Sequence, residues 1–216
     1  MTIYILLGII MAYLIGSIPS AVWYGKTFFG MDVRQHGSGN SGATNTFRVL
    51  GTKPGIIVML VDVLKGWIAT YGAVFLLQIE AINPHELIVY KLLFGISAVL
   101  GHIFPIYARF KGGKGIATGL GMVLAIHIEA ALICMAVFFI VFMLSKYVSL
   151  GSMIAALAFP IVIILFPRFN DGGPLVVVFG FAIFSIVILT HQKNIRRLIN
   201  GEENKIQLKV KKNRSN

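Results

Sequence analysis

Apolar runs of roughly twenty residues recur along almost the whole chain, and each is long enough for a helix to cross about 30 Å of hydrocarbon. Inside lipid a backbone must satisfy its own N–H and C=O groups, which helices do within one segment. The connections leave no room for a soluble domain larger than a short tail. The sequence therefore implies an all-α, polytopic membrane protein forming a single domain over residues 1–216, with about 192–216 as a basic tail. Only 12% of positions are charged and 57% are hydrophobic, which excludes an ordinary water-soluble enzyme.

Six runs are plain at 3–24, 55–77, 87–107, 150–166, 175–190 and within 116–145. The N-terminal run ends in small residues, as a secretory signal does, but lacks a positive leader and reads as a retained span. Pro19 is expected to bend its end without breaking it. Stretch 116–145 is too long for one ordinary span and too short for two full ones. Charge decides between them. The first three connections alternate basic (25–54), acidic (80–86) and basic (109–114), and Lys and Arg gather on the cytoplasmic side. A single crossing at 116–145 would put the tail outside, although it carries Lys193, Arg196, Arg197, Lys205, Lys209, Lys211, Lys212 and Arg214. Two crossings, 115–126 and 130–145 with a break near His127 to Glu129, keep it inside. The expectation is seven transmembrane helices, N-terminus outside and C-terminus cytoplasmic. The twelve-residue helix would reach only about 18 Å, so protein or a thinned bilayer must shield it.

Nineteen Lys and Arg against eight Asp and Glu could suggest nucleic acid, but these residues flank spans, where orientation and anionic headgroups account for them. Nucleic acid is not expected as a partner; the lipid bilayer is. The lone Cys134 excludes an intrachain disulfide, and no Glu/His cluster has zinc spacing, so neither metal nor cofactor is expected.

Three polar stretches then fall on one face. The first, HGSGNSGATNTFRVLG from His36, has Gly37, Gly39 and Gly42 in a G-x-G-x-x-G pattern with Asp62 twenty residues on. It follows a membrane span, not a buried strand, so a dinucleotide fold is excluded. Close glycines can still turn N–H groups inward as a nest, with Ser38, Asn40, Ser41, Thr44 and Asn45 as short donors, which suits a phosphate. A flexible linker would not need Arg48 just beyond. The second stretch contains Gly112-Gly113-Lys114 but fails the ATP-binding pattern because Gly115 follows the lysine. Lys111 and Lys114 make it a second candidate anion loop. In the third, HQKNIRRLINGEENK, His191 and Asn194 share a helix face. Within span two, Asp62 and Lys65 are expected to pair with each other or with polar partners, more as scaffold than as chemistry. No histidine is followed by four residues and an aspartate, the signature of one acyltransferase class.

Taken together, GSGNSGATNTFRVLG, GHIFPIYARFKGGKG and HQKNIRRLINGEENK resemble, in the same order, the bacterial acyl-phosphate-dependent glycerol-3-phosphate acyltransferases, the PlsY family. Ser41 stands where many members have Pro or Thr. The resemblance implies transfer of a fatty acyl group from acyl phosphate to the sn-1 hydroxyl of glycerol 3-phosphate, at the cytoplasmic face of the bacterial inner membrane. The products would be lysophosphatidic acid and phosphate. It implies acyl-phosphate binding by Ser38, Gly39, Asn40, Gly42 and Thr44. Glycerol 3-phosphate would be held by Arg48, Lys114, His191 and Asn194. On the same resemblance Ser38, Arg48, Lys114, His191 and Asn194 would carry the catalysis, and Asn45, His102, Lys111, Gly112, Gly113 and Glu202 would support it. Glu202 is expected to hold the basic tail. The proton acceptor is left between His191, favoured for positioning, and a substrate phosphate. A peripheral enzyme that makes acyl phosphate is an implied partner. The competing readings are an organic-phosphate transporter, which usually shows repeated halves, and a structural membrane adaptor, which leaves the polar stretches unexplained.

Overall fold

The computed structural model describes residues 2–169 and 172–205. Eleven helices run through them: α1 Thr2–Gly16, α2 Ser20–Phe29, α3 Ala43–Leu50, α4 Thr52–Tyr71, α5 Ala73–Gln78, α6 Leu87–Ile103, α7 Ile116–Ile126, α8 Ile128–Ser145, α9 Val148–Leu165, α10 Pro174–Thr190 and α11 Gln192–Ile199. There is no strand among the described residues. Four helical stretches, Thr52–Gln78, Pro84–Ala108, α8 and α9, are long and apolar enough to cross a membrane alone. Two bent pairs, α1 with α2 at 41° and α10 with α11 at 65°, raise the number to six, and α7 is shorter. Lys209, Lys211, Lys212 and Arg214 lie outside the described residues, as do residues 170–171.

One expectation needs correction. Pro19 divides the first run into two helices: α1 stops at Gly16, and α2 restarts at Ser20 with Pro19 as its N-cap. Proline has no N–H, and its ring crowds the carbonyl four residues back, so the ladder opens here. The Ile18 carbonyl at this break accepts a hydrogen bond from Lys65 Nζ at 2.8 Å. The polar connection 25–54 is itself folded, with the last turn of α2, a 3-10 turn at Val33–Gln35 and all of α3 within it.

The break in the ambiguous stretch falls at His127, whose backbone is extended (φ −141°) between α7 and α8. Short α7 is shielded by protein, packing most heavily on α4 and also on α6 and α8. Small residues permit the close approach that helices in lipid rely on. A Cβ on Gly66 would stand 2.1 Å from the Thr118 carbonyl oxygen, and one on Gly121 would stand 1.9 Å from that of Val63. Large side chains such as Leu64 and Leu144 point outward, 52% and 83% exposed, as lipid-facing positions should.

At the far end of α7 the last carbonyls lack helical partners. Lys91 Nζ of α6 donates to Ala125 O at 3.0 Å and supplies one. Lys91→Met should cost about 1 kcal/mol, read as a fall of a few degrees in the melting midpoint of the detergent-solubilised protein. An unchanged midpoint would show that the bond contributes nothing.

Candidate active site

The first polar stretch is a folded loop built around one buried side chain, Asn45 of α3. Asn45 Nδ2 donates to Val33 O (2.8 Å) and His36 O (3.1 Å), and its Oδ1 accepts from Ser38 N (2.8 Å) and Ser38 Oγ (3.1 Å). Gly37 and Gly39 have φ of +61° and +73°, a left-handed backbone that lets the loop wrap this amide. Gly42 is extended and held by Asn40 Oδ1, which accepts its N–H at 2.9 Å.

The expected nest therefore differs in its donors. The N–H groups of Ser38, Gly39 and Gly42 are bonded to Asn45, His36 and Asn40. Asn45 and Thr46 bond back to Gly42 O, so the first-turn N–H groups of Ala43 and Thr44 find no acceptor among the described residues. Those two point out of the N-terminus of α3, where backbone donors and the helix dipole favour an anion. Arg48 lies one turn further along the same helix, exposed.

The second stretch is pinned beneath α6. Gly112 N donates to Ile103 O (3.2 Å) and Gly113 N to His102 O (3.1 Å). The preceding residues Arg109 and Phe110 both have positive φ, which turns the chain back. Arg34 joins this stretch to the first: it is bidentate to Asp32 (3.0 and 2.7 Å) and donates from Nη1 to Ala108 O at 3.1 Å. That hydrogen-bonded Arg34 pulls the Asp32 carboxyl down to about 2, against the opposing effect of burial. Between the two stretches opens a cleft of about 350 Å³, lined by Arg34, Gly39, Arg109, Lys111 and Gly112 among others.

The third stretch closes over Lys114. Its ammonium donates to Asn194 Oδ1, whose Nδ2 donates to Glu203 Oε1 at 2.6 Å. Glu203 also accepts from Ser149 Oγ (2.9 Å) and Arg197 Nε (2.7 Å). Burial would raise the Glu203 carboxyl, and the bonds from Asn194, Arg197 and Ser149 outweigh it and hold it below the ordinary range. Lys114 is pushed down to about 8, first by burial and then by the positive charges of Arg197 and Arg48, with Glu203 opposing. Lys114 of the second stretch is thus an electrostatic neighbour of Arg48 in the first and of Arg197 in the third.

His191 sits at the bend between α10 and α11 and is 2% exposed. Its Nδ1 lies 2.8 Å from Val187 O. A carbonyl only accepts, so Nδ1 carries the proton and Nε2 keeps its lone pair. Burial, and next the Lys114 charge, push its pKa down to about 4. The imidazole is neutral at physiological pH.

The structure thus gathers Lys114, Asn194, His191 and Arg48 into one region, and places Ser38, Gly39, Asn40 and Gly42 on the loop that leads into α3 and Thr44 in its first turn. Among the described residues, no hydrogen bond runs from that loop to the Lys114 cluster. Lys111 is exposed, while Gly112 and Gly113 pack against the end of α6. The acid that fastens the final segment is Glu203; Glu202, given that task from the sequence, is exposed. Ser149 and Arg197 were not assigned from the sequence, and only a long-range pairing reveals Ser149.

Residues 6–201 match the family model described as glycerol-3-phosphate acyltransferase. A glycerol-3-phosphate acyltransferase of Listeria monocytogenes (strain EGD-e) is 47% identical over 207 residues, covering 96% of this chain and 99% of the relative. One of Enterococcus faecalis is 43% identical over 218 residues, covering 96% and 95%. Among solved structures, PlsY, described as an integral membrane glycerol 3-phosphate acyltransferase, superposes in its glycerol 3-phosphate form with a TM-score of 0.80 at 35% identity, covering 94% of this chain and 96% of that one. Its lysophosphatidic acid form gives 0.80 at 34%. On the extent of these matches, the chain belongs to the glycerol-3-phosphate acyltransferase family.

Proposed function

We propose that this protein transfers a fatty acyl group from acyl phosphate to the sn-1 hydroxyl of glycerol 3-phosphate at the cytoplasmic face of a bacterial inner membrane. The observation that carries this reading is the grouping of Arg48, Arg197 and a neutral, buried His191 around Lys114, with a helix N-terminus bearing unbonded donors one turn before Arg48. Two anionic substrates must be held together here, and that much positive charge offsets their repulsion.

In this reading the α3 N-terminus, with Ser38, Gly39, Asn40, Gly42 and Thr44 around it, receives the donor phosphate. Arg48 and Lys114 clamp glycerol 3-phosphate, and Asn194 holds the Lys114 ammonium in place. The sn-1 hydroxyl attacks the acyl carbonyl carbon while the carbon–oxygen bond to phosphate breaks. Phosphate leaves with the electron pair and takes up the hydroxyl proton. Donors of the first stretch stabilise the carbonyl oxygen as charge develops. His191 Nε2 accepts a hydrogen bond from the hydroxyl and aims it. A group that binds protons only near pH 4 is a weak base, so the substrate phosphate is the better acceptor.

Seven crossings, with the N-terminus outside and the C-terminus inside, are part of the same proposal. Lys114 before α7, Ser149 at the start of α9 and Asn194 after α10 meet at one end of the bundle. Glu129 at the start of α8 lies 3.7 Å from Arg168 after α9, consistent with their sharing the opposite end. That alternation fits α7 and α8 as separate crossings.

Purified protein given acyl phosphate and glycerol 3-phosphate should form lysophosphatidic acid and release phosphate in equal amounts. Uptake of glycerol 3-phosphate into vesicles without product would favour a transporter instead. His191→Gln should lower kcat/KM about tenfold, the worth of one hydrogen bond, equally from pH 6 to 9. Activity recovered at high pH would identify His191 as the base.

A further inference from the structure

Given the acyl-transfer reading on which this inference rests, we propose that Asp62 and His102 are positioning residues for glycerol 3-phosphate, holding Lys114 in place from beneath through Gly112 and Gly113. Asp62 of α4 is fully buried. Its Oδ1 accepts from Ser20 Oγ at 2.6 Å, pairs with Lys65 Nζ at 2.8 Å and lies 3.6 Å from His102 Nδ1.

His102 occupies the last turn of α6 and is 6% exposed. The far side of its ring supports the Lys114 loop: a Cβ on Gly113 would stand 2.1 Å from His102 Nε2, and one on Gly112 would stand 2.0 Å from His102 O. The His102 carbonyl accepts the Gly113 N–H. Lys114 is the next residue. A rotation of the imidazole therefore displaces the segment that carries the ammonium.

Ionisable groups inside a membrane bundle are costly unless paired, and Asp62 with Lys65 already forms such a pair. A purely scaffolding role would require nothing more. What it leaves unexplained is that the same carboxylate also faces the histidine under the substrate loop. The first stretch has its own anchor in Asn45, and its tie to the second, from Arg34 to Ala108 O, lies ahead of Gly112, so the larger effect should fall on the acceptor half of the site.

The test is a steady-state comparison of His102→Phe, which keeps a ring but no Nδ1, His102→Asn, which puts an amide nitrogen near Nδ1, Asp62→Asn, and the double variant Asp62→Asn with His102→Phe. His102→Phe and Asp62→Asn should each raise KM for glycerol 3-phosphate about tenfold and leave KM for acyl phosphate within about twofold. The double variant should be no worse than either alone, because both remove one device. His102→Asn keeps a donor toward Asp62 but has no ring beneath Gly113, so it too should raise KM for glycerol 3-phosphate about tenfold. A parallel rise in both KM values, multiplying effects in the double variant, or unchanged KM values would each overturn the assignment. Melting midpoints identify variants that do not fold, and whichever single variant folds then decides through its two KM values. Should the wild type show no transfer at all, the acyl-transfer reading fails, and calorimetric titration with glycerol 3-phosphate still reads the positioning separately.

Discussion

Glu203→Ala should destabilise the protein by about 1–3 kcal/mol and abolish turnover, while Glu202→Ala leaves both almost unchanged. The two acids are adjacent, but the Glu203 side chain is 7% exposed and Glu202 faces solvent. Removing the Glu203 carboxylate strips partners from three groups at once: Arg197, Asn194 and Ser149. Asn194 would then be free to turn, and Lys114 would lose its anchor. Glu203→Gln keeps an acceptor oxygen and should fall between the extremes. Melting in detergent together with turnover measures both parts, and equal effects of Glu202→Ala and Glu203→Ala would contradict the structure.

That contrast shows where sequence reasoning stops. Apolar runs declare membrane helices because hydrocarbon tolerates little else, and alternating loop charge called for a break within 116–145, which falls at the polar His127 where no proline or glycine marks it. The choice between Glu202 and Glu203 has no such signal, since the residues share their chemistry. It is made by the turn that ends α11, where Gly201 has φ of +71° and Glu202 N bonds to Arg197 O at 2.7 Å, carrying the chain back over α9. Likewise the glycines of the first stretch could be read as a turning backbone, but not that Asn45 would take up the Ser38 N–H. Ser149 pairs with an acid 54 positions away, a distance no local pattern spans.

The other large effect concerns Lys114 itself. Lys114→Met should lower kcat/KM for glycerol 3-phosphate by roughly two to three orders of magnitude, the scale of losing one buried charge-assisted bond to phosphate. Titration gives a sharper result. With its pKa pushed down to about 8, the ammonium is charged below that pH and neutral above it. Since kcat/KM reports the free enzyme, it should bend downward above about pH 8 in the wild type. Lys114→Arg keeps its charge throughout this range, so its profile should be lower, because the planar guanidinium does not fit the Asn194 contact, yet flat across pH 8. A bend that persists in Lys114→Arg would assign the ionisation to another group. A wild type without a bend would mean that Lys114 keeps its proton despite burial and two cationic neighbours, and Glu203 would then have to dominate the charge balance at the site.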